Sequence, residues 1–450
     1  MIRLRLMVFS FVLLSVVGLA QPPADLSGLD QRGENPRPAP AGFGPGKAKS
    51  VVLFIADGTG IASLTAARIY KVGVSGDLNV DRFPYTAFCR TYSADGMVTD
   101  SAAAATALAT GYKTNNGVLG QDVRATSDTE GKPLKTALEV AQDLGKSVGL
   151  VTTTRVTHAT PAGFYAKLQA RDEETGIAEQ FLGKKITVLL GGGRSEFTPT
   201  TVKDPETSAG GKRSDGRDLT DEAQREGYVY VWNEEQFRAA DPEKTEYLLG
   251  LFEAEHMEYE LDRPKDKAGE PSLAEMTEKA LQMLAKNPRG FFLMVEGGKI
   301  DHAAHGNLGA HHIADTLAFD DAIGKAVQMC GDTAIILVTA DHECGGLAIN
   351  GYSPRTVQGD ALLGVAATGG MTGKSILSWA SGRGHDSDPT KASADSSYLQ
   401  PSAIQTSGAS HTGTDVFLMA TGPGAEVVHG FWDNTDIGKF IIATLKANPR

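Results

Sequence analysis

Residues 50–60 read Ser50-Val-Val-Leu-Phe-Ile-Ala-Asp57-Gly-Thr-Gly60, a continuous apolar run of strand length that ends in an aspartate and a glycine-rich turn. Residues 62–70 follow with a helical pattern. A strand that is apolar on both faces and is followed by a helix is typical of a parallel sheet covered by helices on both sides. The stretch therefore predicts an α/β fold with Asp57 at the carboxyl end of a buried strand.

The same pattern recurs along the chain. Further strand-length apolar runs lie at 147–154, 186–190, 291–296, 333–342 and 415–421, with helical segments between them that include 133–144 and 273–285. This alternation predicts a large, mostly parallel, doubly wound central sheet with helices on both faces. Ligands of such sheets bind beyond the carboxyl ends of the strands. We expect four polar side chains to converge there: Asp57, Glu296, Asp341 and His342.

The ends of the chain and two irregular regions set the predicted domain organisation. Residues 1–20 combine a basic start, an apolar stretch and the small-x-small site Gly18-Leu19-Ala20, which predicts a signal peptide cleaved after Ala20 and a periplasmic or secreted protein. Residues 21–47 are a Pro/Gly-rich leader. We expect residues 48–450 to form one domain, with insertions at the rim of the sheet at about 195–270 and 351–410.

Composition excludes several classes of protein. A chain with 41% hydrophobic and 22% charged residues is globular rather than disordered. Its net charge of −12 argues against general nucleic-acid binding. After the signal, no stretch approaches the roughly 18 apolar residues of a membrane span, and we predict no stable membrane anchor. Cys89, Cys330 and Cys344 are too few for a disulfide scaffold and form no Cys-x-x-Cys pair, although one disulfide among them stays open.

Residues 98–111 predict a second feature of the site. They read Val98-Thr-Asp-Ser-Ala-Ala-Ala-Ala-Thr-Ala-Leu-Ala-Thr-Gly111, a run of strong helix formers with Asp100 and Ser101 at its start. Either this is a capped, buried helix that Gly111 ends, or Ser101 is a nucleophile at a helix N-terminus that favours anions. The choice depends on whether the rest of the chain can activate a serine hydroxyl.

Histidines and carboxylates supply candidates for that activation. Asp301 and His305 are four residues apart, so on a helix they share one face and suit either a divalent metal or an ordinary ion pair. Asp341 and His342 end an apolar strand, where they form either a metal site or a buried Asp–His hydrogen bond. The repeated placement of carboxylates at strand ends favours more than one cation. Two zinc-like sites could clamp the attacking and leaving oxygens of a phosphoryl transfer. His302 points away from Asp301, and we interpret His311 and His312 as surface or structural residues.

Six separated motifs together resemble the alkaline phosphatases over roughly residues 48–440. They are Asp57-Gly-Thr-Gly60, Val98-Thr-Asp-Ser-Ala-Ala-Ala-Ala-Thr106, His158-Ala-Thr-Pro161, Val295-Glu-Gly-Gly-Lys-Ile-Asp-His302, Thr339-Ala-Asp-His342 and His411-Thr-Gly413. Residues 250–253 and 287–293 are similar to the animal tissue-type branch. The resemblance implies an exported homodimer that hydrolyses small-molecule phosphate monoesters. Within the same superfamily, a phosphodiesterase or a sulfatase is the alternative activity. A secreted zinc-binding protein without turnover is the alternative from another class.

The resemblance also implies roles for individual residues. Ser101 would form a phosphoserine, and Arg171, braced by Asp100, would bind the phosphate. Three metal sites are implied: a first zinc on Asp301, His305 and His411, a second zinc on Asp57, Asp341 and His342, and a magnesium ion on Asp57, Thr160 and Glu296. His158 and His302 stand where some bacterial members carry Asp and Lys, and they would lie by the substrate. The tissue-type branch adds a calcium site, implied here for Glu206, the carbonyl of Phe252, Glu253 and Glu270, whose hard oxygens suit Ca²⁺.

Overall fold

The computed structural model describes residues 40, 42–126, 129–385, 388–392 and 394–447. The predicted signal peptide and residues 21–39 and 41 of the predicted leader lie outside the described residues. None of the helices in the described part of the chain combines the length and the apolar character that crossing a membrane requires.

The described residues form fifteen strands. They are β1 (Ser50–Ile55), β2 (Tyr85–Arg90), β3 (Ser147–Arg155), β4 (Val188–Gly192), β5 (Tyr228–Val231), β6 (Tyr247–Leu251), β7 (Phe291–Glu296), β8 (Ala334–Thr339), β9 (Glu343–Cys344), β10 (Ala348–Ile349), β11 (Leu377–Gly382), β12 (Ser402–Gln405), β13 (His411–Thr412), β14 (Val416–Thr421) and β15 (Gly430–Asp433).

Twelve α-helices in the same residues surround the strands. They are α1 (Ile61–Val72), α2 (Ser101–Thr110), α3 (Ala137–Asp143), α4 (Ala159–Tyr165), α5 (Glu174–Phe181), α6 (Arg194–Phe197), α7 (Leu219–Arg225), α8 (Glu234–Ala239), α9 (Leu273–Leu284), α10 (Lys299–His305), α11 (Gly309–Cys330) and α12 (Asn434–Ala447). Short 3₁₀ turns lie at Val80–Arg82, Arg263–Lys265, Gly359–Leu363, Gly369–Met371, Pro389–Lys391 and Ala425–Val427.

Ten strands form one central sheet in the order β15-β2-β14-β8-β1-β7-β3-β4-β6-β5. β1 lies near its middle and pairs in parallel with β7 and β8. Every residue of these three strands is buried, because helices cover both faces. Only β14 runs antiparallel to its neighbours in this sheet. The predicted mostly parallel α/β fold is confirmed.

The register of the central strands places the candidate residues at one edge. Ile55 in β1 pairs with Glu296 at the end of β7 and with Thr339 at the end of β8. Asp57 and Asp341 each follow two residues after their strand. Because parallel strands end on the same side, carboxylates far apart in sequence meet here.

The irregular regions hold structure that the apolar runs did not reveal. Residues 195–270 contain β5 and β6, which extend the central sheet at one end. Residues 351–410 contain β11 and β12, which form a separate three-stranded sheet with β10 around its own apolar cluster. The helix predicted from residue 133 begins at Ala137, because Thr136 and Glu139 form a capping box there.

The helix that carries Ser101 packs closely on α4 through a glycine. A Cβ added to Gly163 would lie 2.8 Å from the Cβ of Ala105 in α2. We therefore expect Gly163→Ala to lower the free energy of unfolding by about 1–3 kcal/mol, as overpacked cores do. Urea unfolding followed by circular dichroism measures this loss.

Gly176 in α5 is the matched control, since the nearest atom to its added Cβ would be 3.8 Å away. We expect Gly176→Ala to leave stability unchanged or to raise it, because alanine favours helices over glycine by about 0.5–1 kcal/mol. Equal effects of the two variants would show that contact between α2 and α4 is not tight.

Candidate active site

Ser101 is the first residue of α2, and the residue before it is the cap. Asp100 Oδ1 accepts a hydrogen bond from Ala103 N at 3.0 Å, and Gly111 ends the helix with a φ of 80°. With the cap supplied by Asp100, the hydroxyl of Ser101 is left to point elsewhere. It lies 3.2 Å from His342 Nε2, and both side chains are buried. The helix therefore presents a buried hydroxyl at its positive end.

Three oxygens surround His342 Nε2. Ser101 Oγ is 3.2 Å away, Asp341 Oδ2 is 3.1 Å away and Asp57 Oδ1 is 3.6 Å away. An imidazole nitrogen offers one hydrogen or one lone pair. It therefore cannot satisfy all three, and the Asp341 and Asp57 oxygens have no hydrogen-bond partner. A simple buried Asp–His hydrogen bond does not account for this arrangement, whereas a shared cation would.

Asp57 is a buried carboxylate of this cluster whose hydrogen-bonding capacity is unfilled. It is fully buried and neither of its oxygens has a hydrogen-bond partner. Burial, followed by the nearby charges of Asp341 and Asp301, raises its pKa well above the ordinary value. The turn after it brings the two segments together: Gly58 has a φ of 66°, and a Cβ there would lie 2.8 Å from Asp301 Cα. Such a cluster fits divalent cations.

The three residues implied for the first zinc lie on α10 and β13. Asp301 Oδ2 is 3.1 Å from His305 Nε2, which is itself 3.2 Å from His411 Nε2. The Nδ1 atoms of the two rings lie 2.5 Å from Ala409 O and 3.0 Å from Thr99 O, so we assign their hydrogens to Nδ1. The two Nε2 lone pairs then face each other, an arrangement that a metal stabilises and that backbone carbonyls orient.

The sequence analysis missed one member of this group. A donor atom of Cys344 lies within 4.8 Å of donor atoms of Asp301, His305 and His411. A thiolate metal site is recognised in a sequence by paired cysteines, and Cys344, a single cysteine two residues after His342, has no such partner nearby in the sequence. Asp301 together with Asp57 and His342 also forms a group within the same limit, so the two candidate metal positions adjoin.

A third group joins Asp57 to Glu296 and His158, whose donor atoms lie within 4.8 Å of one another. Glu296 Oε2 accepts hydrogen bonds from the hydroxyls of Thr152 and Thr154, whereas its Oε1 has no partner. The hydroxyl of Thr160 is also buried without a partner. Burial raises the pKa of Glu296 to about 7. Hard oxygens with unfilled bonding capacity fit a magnesium ion, and His158 is a member that the sequence placed only near the substrate.

Arg171 lies against both the α2 cap and His158. Its Nη1 donates to Asp100 Oδ2 at 3.1 Å, and its Nη2 donates to His158 Nε2 at 2.9 Å. Asp100 Oδ2 also accepts from Gly117 N at 3.0 Å, which fixes the carboxylate. The ring of His302 packs edge-on against His158, at 5.6 Å between centroids, and against His256, at 4.3 Å. His302 thus belongs to none of the metal groups found among the described residues.

The acidic group of residues 195–270 differs from the prediction, because it includes Asp266 and does not include Glu270. Glu206 and Glu253 come together with Asp266, which the sequence did not suggest. Burial and the neighbouring carboxylates raise the pKa of Glu206 to about 7 and that of Glu253 to about 8. Glu270 lies outside this group although it is buried nearby, and the carbonyl of Phe252 accepts a hydrogen bond from Arg194 at 3.1 Å.

The two histidines interpreted as surface or structural residues are buried. His312 lies 3.1 Å from the carbonyl of Ile300 through Nδ1 and 2.8 Å from Ser63 Oγ through Nε2. His311 Nε2 lies 2.9 Å from Asp262. His312 therefore joins α11 to α1 and α10, and His311 joins α11 to the turn that contains Asp262.

Comparison with known proteins places these residues in context. The model of the alkaline phosphatase family matches residues 48–447. The alkaline phosphatase of Gadus morhua is 36% identical over 85% of this chain and 89% of its own length. The tissue-nonspecific isozyme of alkaline phosphatase from Rattus norvegicus is 37% identical over 85% of this chain and 81% of its own length.

Solved structures agree with these sequence matches. The alkaline phosphatase of the Antarctic bacterium TAB5 superimposes with a TM-score of 0.67 at 27% identity and covers 89% of this chain and 99% of its own. That of Thermus thermophilus gives a TM-score of 0.70 at 28% identity, with 93% of each chain covered. A variant of the Antarctic enzyme is described with Mg bound in its M3 site.

Proposed function

The chain belongs to the alkaline phosphatase family, and from that premise we propose that it hydrolyses phosphate monoesters through a phosphoserine on Ser101. The observation that carries the proposal is the buried Ser101 hydroxyl, 3.2 Å from His342 Nε2 beside the unpartnered carboxylate of Asp57. Ser101 is not needed as the cap of α2, since Asp100 already fills that role. The hydroxyl is therefore available for chemistry.

The proposed reaction has two displacement steps. Ser101 Oγ attacks phosphorus, the bond from phosphorus to the ester oxygen breaks, and the serine proton passes to the departing oxygen, so that the alcohol leaves and a phosphoserine remains. Water then attacks the same phosphorus, the bond from phosphorus to Ser101 Oγ breaks, and one proton of the water passes to Oγ as inorganic phosphate is released. Two in-line inversions retain the configuration at phosphorus. Arg171 holds two phosphate oxygens through its planar guanidinium, which Asp100 orients.

We propose zinc for the first two groups and magnesium for the third. Asp301, His305 and His411 would hold the first zinc; Asp57, Asp341 and His342 would hold the second; Asp57, Thr160 and Glu296 would hold magnesium. The fit rests on the unpartnered oxygens of these buried carboxylates. When bound, the cations would lower the pKa of the serine hydroxyl and of water, and would neutralise charge on the phosphate oxygens. His158 would hold no cation in this arrangement and would continue to accept its hydrogen bond from Arg171.

We further propose that Glu206 and Glu253 hold a calcium ion together with Asp266. The support is the donor set, three oxygen ligands whose mutual repulsion a hard cation relieves. Glu270 lies close to this group, since burial and the carboxylates of Glu253 and Asp266 raise its pKa to about 9. Export through the predicted signal peptide and a homodimeric state complete the proposal.

Substrate preference tests the proposed reaction. We expect p-nitrophenyl phosphate to be hydrolysed faster than its bis-ester and its sulfate by several orders of magnitude, because Arg171 and a third cation suit a dianionic group. A chelator should abolish this turnover, and zinc with magnesium should restore it. Preference for the diester or the sulfate would favour the other members of the superfamily, and zinc binding without turnover would favour a storage protein.

A further inference from the structure

Cys344 is held directly opposite a candidate metal ligand. In the short antiparallel pair of β9 and β13, Cys344 faces His411, and Cys344 N donates to Gly58 O at 3.1 Å. Directly opposed residues of an antiparallel pair project to the same face, with Cβ atoms about 4.5–5.5 Å apart. The thiol is 1% exposed. It is therefore fixed on the side of β13 from which His411 reaches Asp301.

An independent observation points to a ligand at this place. Asp301 is 4% exposed, and its Oδ1 has no hydrogen-bond partner. This carboxylate belongs to the group in which donor atoms of Cys344, His305 and His411 all lie within 4.8 Å of one another. The thiol of Cys344 lies against the carboxylate of Asp301, whereas the other two thiols donate to backbone carbonyls, Cys330 to Ala326 O at 3.1 Å and Cys89 to Arg90 O at 3.5 Å.

We propose that Cys344 Sγ is a fourth protein ligand of the first metal site, together with Asp301, His305 and His411. This inference rests on the proposed function, because it assumes that those three residues form the site. On binding, the Sγ–H bond breaks, a sulfur–metal bond forms and the proton leaves to solvent. A catalytic zinc can expand to five ligands, so a position for a substrate oxygen remains. The soft sulfur donor favours zinc over magnesium at this site.

Cobalt spectroscopy of the full-length protein tests the inference without measuring activity. After chelation and dialysis, the protein is titrated with Co²⁺, and a sulfur-to-cobalt charge-transfer band is expected in the near ultraviolet. Cys344→Ser should lose this band and keep the weaker visible bands of cobalt bound by nitrogen and oxygen. Cys330→Ser is the matched control and should retain the charge-transfer band.

Affinity provides a second readout. Since even an outer-shell partner of a metal ligand is worth about 10–100-fold in affinity, we expect Cys344→Ser to weaken Zn²⁺ binding at the first site by at least tenfold. Zinc binding to Cys344→Ser should also release one proton fewer than zinc binding to the unmodified protein. Cys344→Ala, checked by circular dichroism and thermal unfolding, separates loss of the donor from loss of the fold.

Two results would overturn the inference. One is cobalt bound at the first site of the unmodified protein without a charge-transfer band, and the other is a band that persists in Cys344→Ser. His411→Ala distinguishes these outcomes from failure of the proposed function. If His411→Ala changes the visible cobalt bands and the unmodified protein has no charge-transfer band, the three-residue site stands and only the thiol ligand is wrong. If His411→Ala leaves the cobalt spectrum unchanged, both proposals are wrong.

Discussion

Replacing Ser101 with alanine is expected to lower the turnover of p-nitrophenyl phosphate by about 10⁴–10⁶-fold, the range seen when a hydrolase loses its nucleophile. The substitution removes only the oxygen that lies 3.2 Å from His342 Nε2. The fold should tolerate it, because alanine is a strong helix former and Asp100 still caps α2. Zinc and magnesium contents, measured by mass spectrometry, should therefore stay unchanged.

Ser63→Ala is the matched control for this prediction. Ser63 is also buried and also lies against a histidine, with its Oγ 2.8 Å from His312 Nε2, but it belongs to α1. We expect turnover of this variant within a few-fold of the unmodified protein. Acid quenching with labelled substrate should trap a phosphoserine in the unmodified chain and none in Ser101→Ala. Turnover within tenfold after loss of Ser101 would remove it from the mechanism.

The fold and the centre of the site could be predicted because an apolar run marks a buried parallel strand, and the residues at the carboxyl ends of such strands meet at one edge of the sheet. Asp57 and Glu296 were recognised as partners from their strand ends alone, and the register of β1 and β7 brings them together. Short or half-exposed strands escaped, because their apolar residues alternate or are few. β2 is an example, since its second and fourth residues, Thr86 and Phe88, are exposed between buried or half-buried neighbours.

The missed site residues share a different cause. Asp266 follows a 3₁₀ turn in a polar segment, where nothing in the local pattern distinguishes a ligand from a solvated carboxylate. Cys344 owes its position to a two-residue strand pair formed with a segment 67 positions later. Such contacts depend on the path of loops across the sheet edge, and a periodic pattern of apolar residues does not encode that path.

The second large effect is expected from Asp57, because this carboxylate belongs to two of the candidate metal groups. Asp57→Asn preserves its size but removes the charge and replaces one oxygen donor with an amide. We expect loss of metal from both groups. A bound cation contributes several kcal/mol of charge stabilisation, and each 1.4 kcal/mol is tenfold in rate. Turnover should therefore fall by at least about 10³-fold.

Stability should respond to the same substitution with opposite signs in the two forms of the protein. In the metal-free form, Asp57→Asn removes a buried negative charge from beside Asp341 and Asp301, so this form should unfold at the same or a higher temperature. In the metal-loaded form the same change costs bound cations, and the unfolding temperature should fall.

Asp320→Asn is the matched control for Asp57→Asn. Asp320 is buried, but its carboxylate accepts hydrogen bonds from Asn79 N and Val80 N, both at 3.0 Å. The change should lower stability in both forms and leave metal content unaltered, because a satisfied carboxylate loses an acceptor there. If Asp57→Asn instead behaves like Asp320→Asn, Asp57 is a structural carboxylate. The cations would then have to be held by other residues of the strand edge.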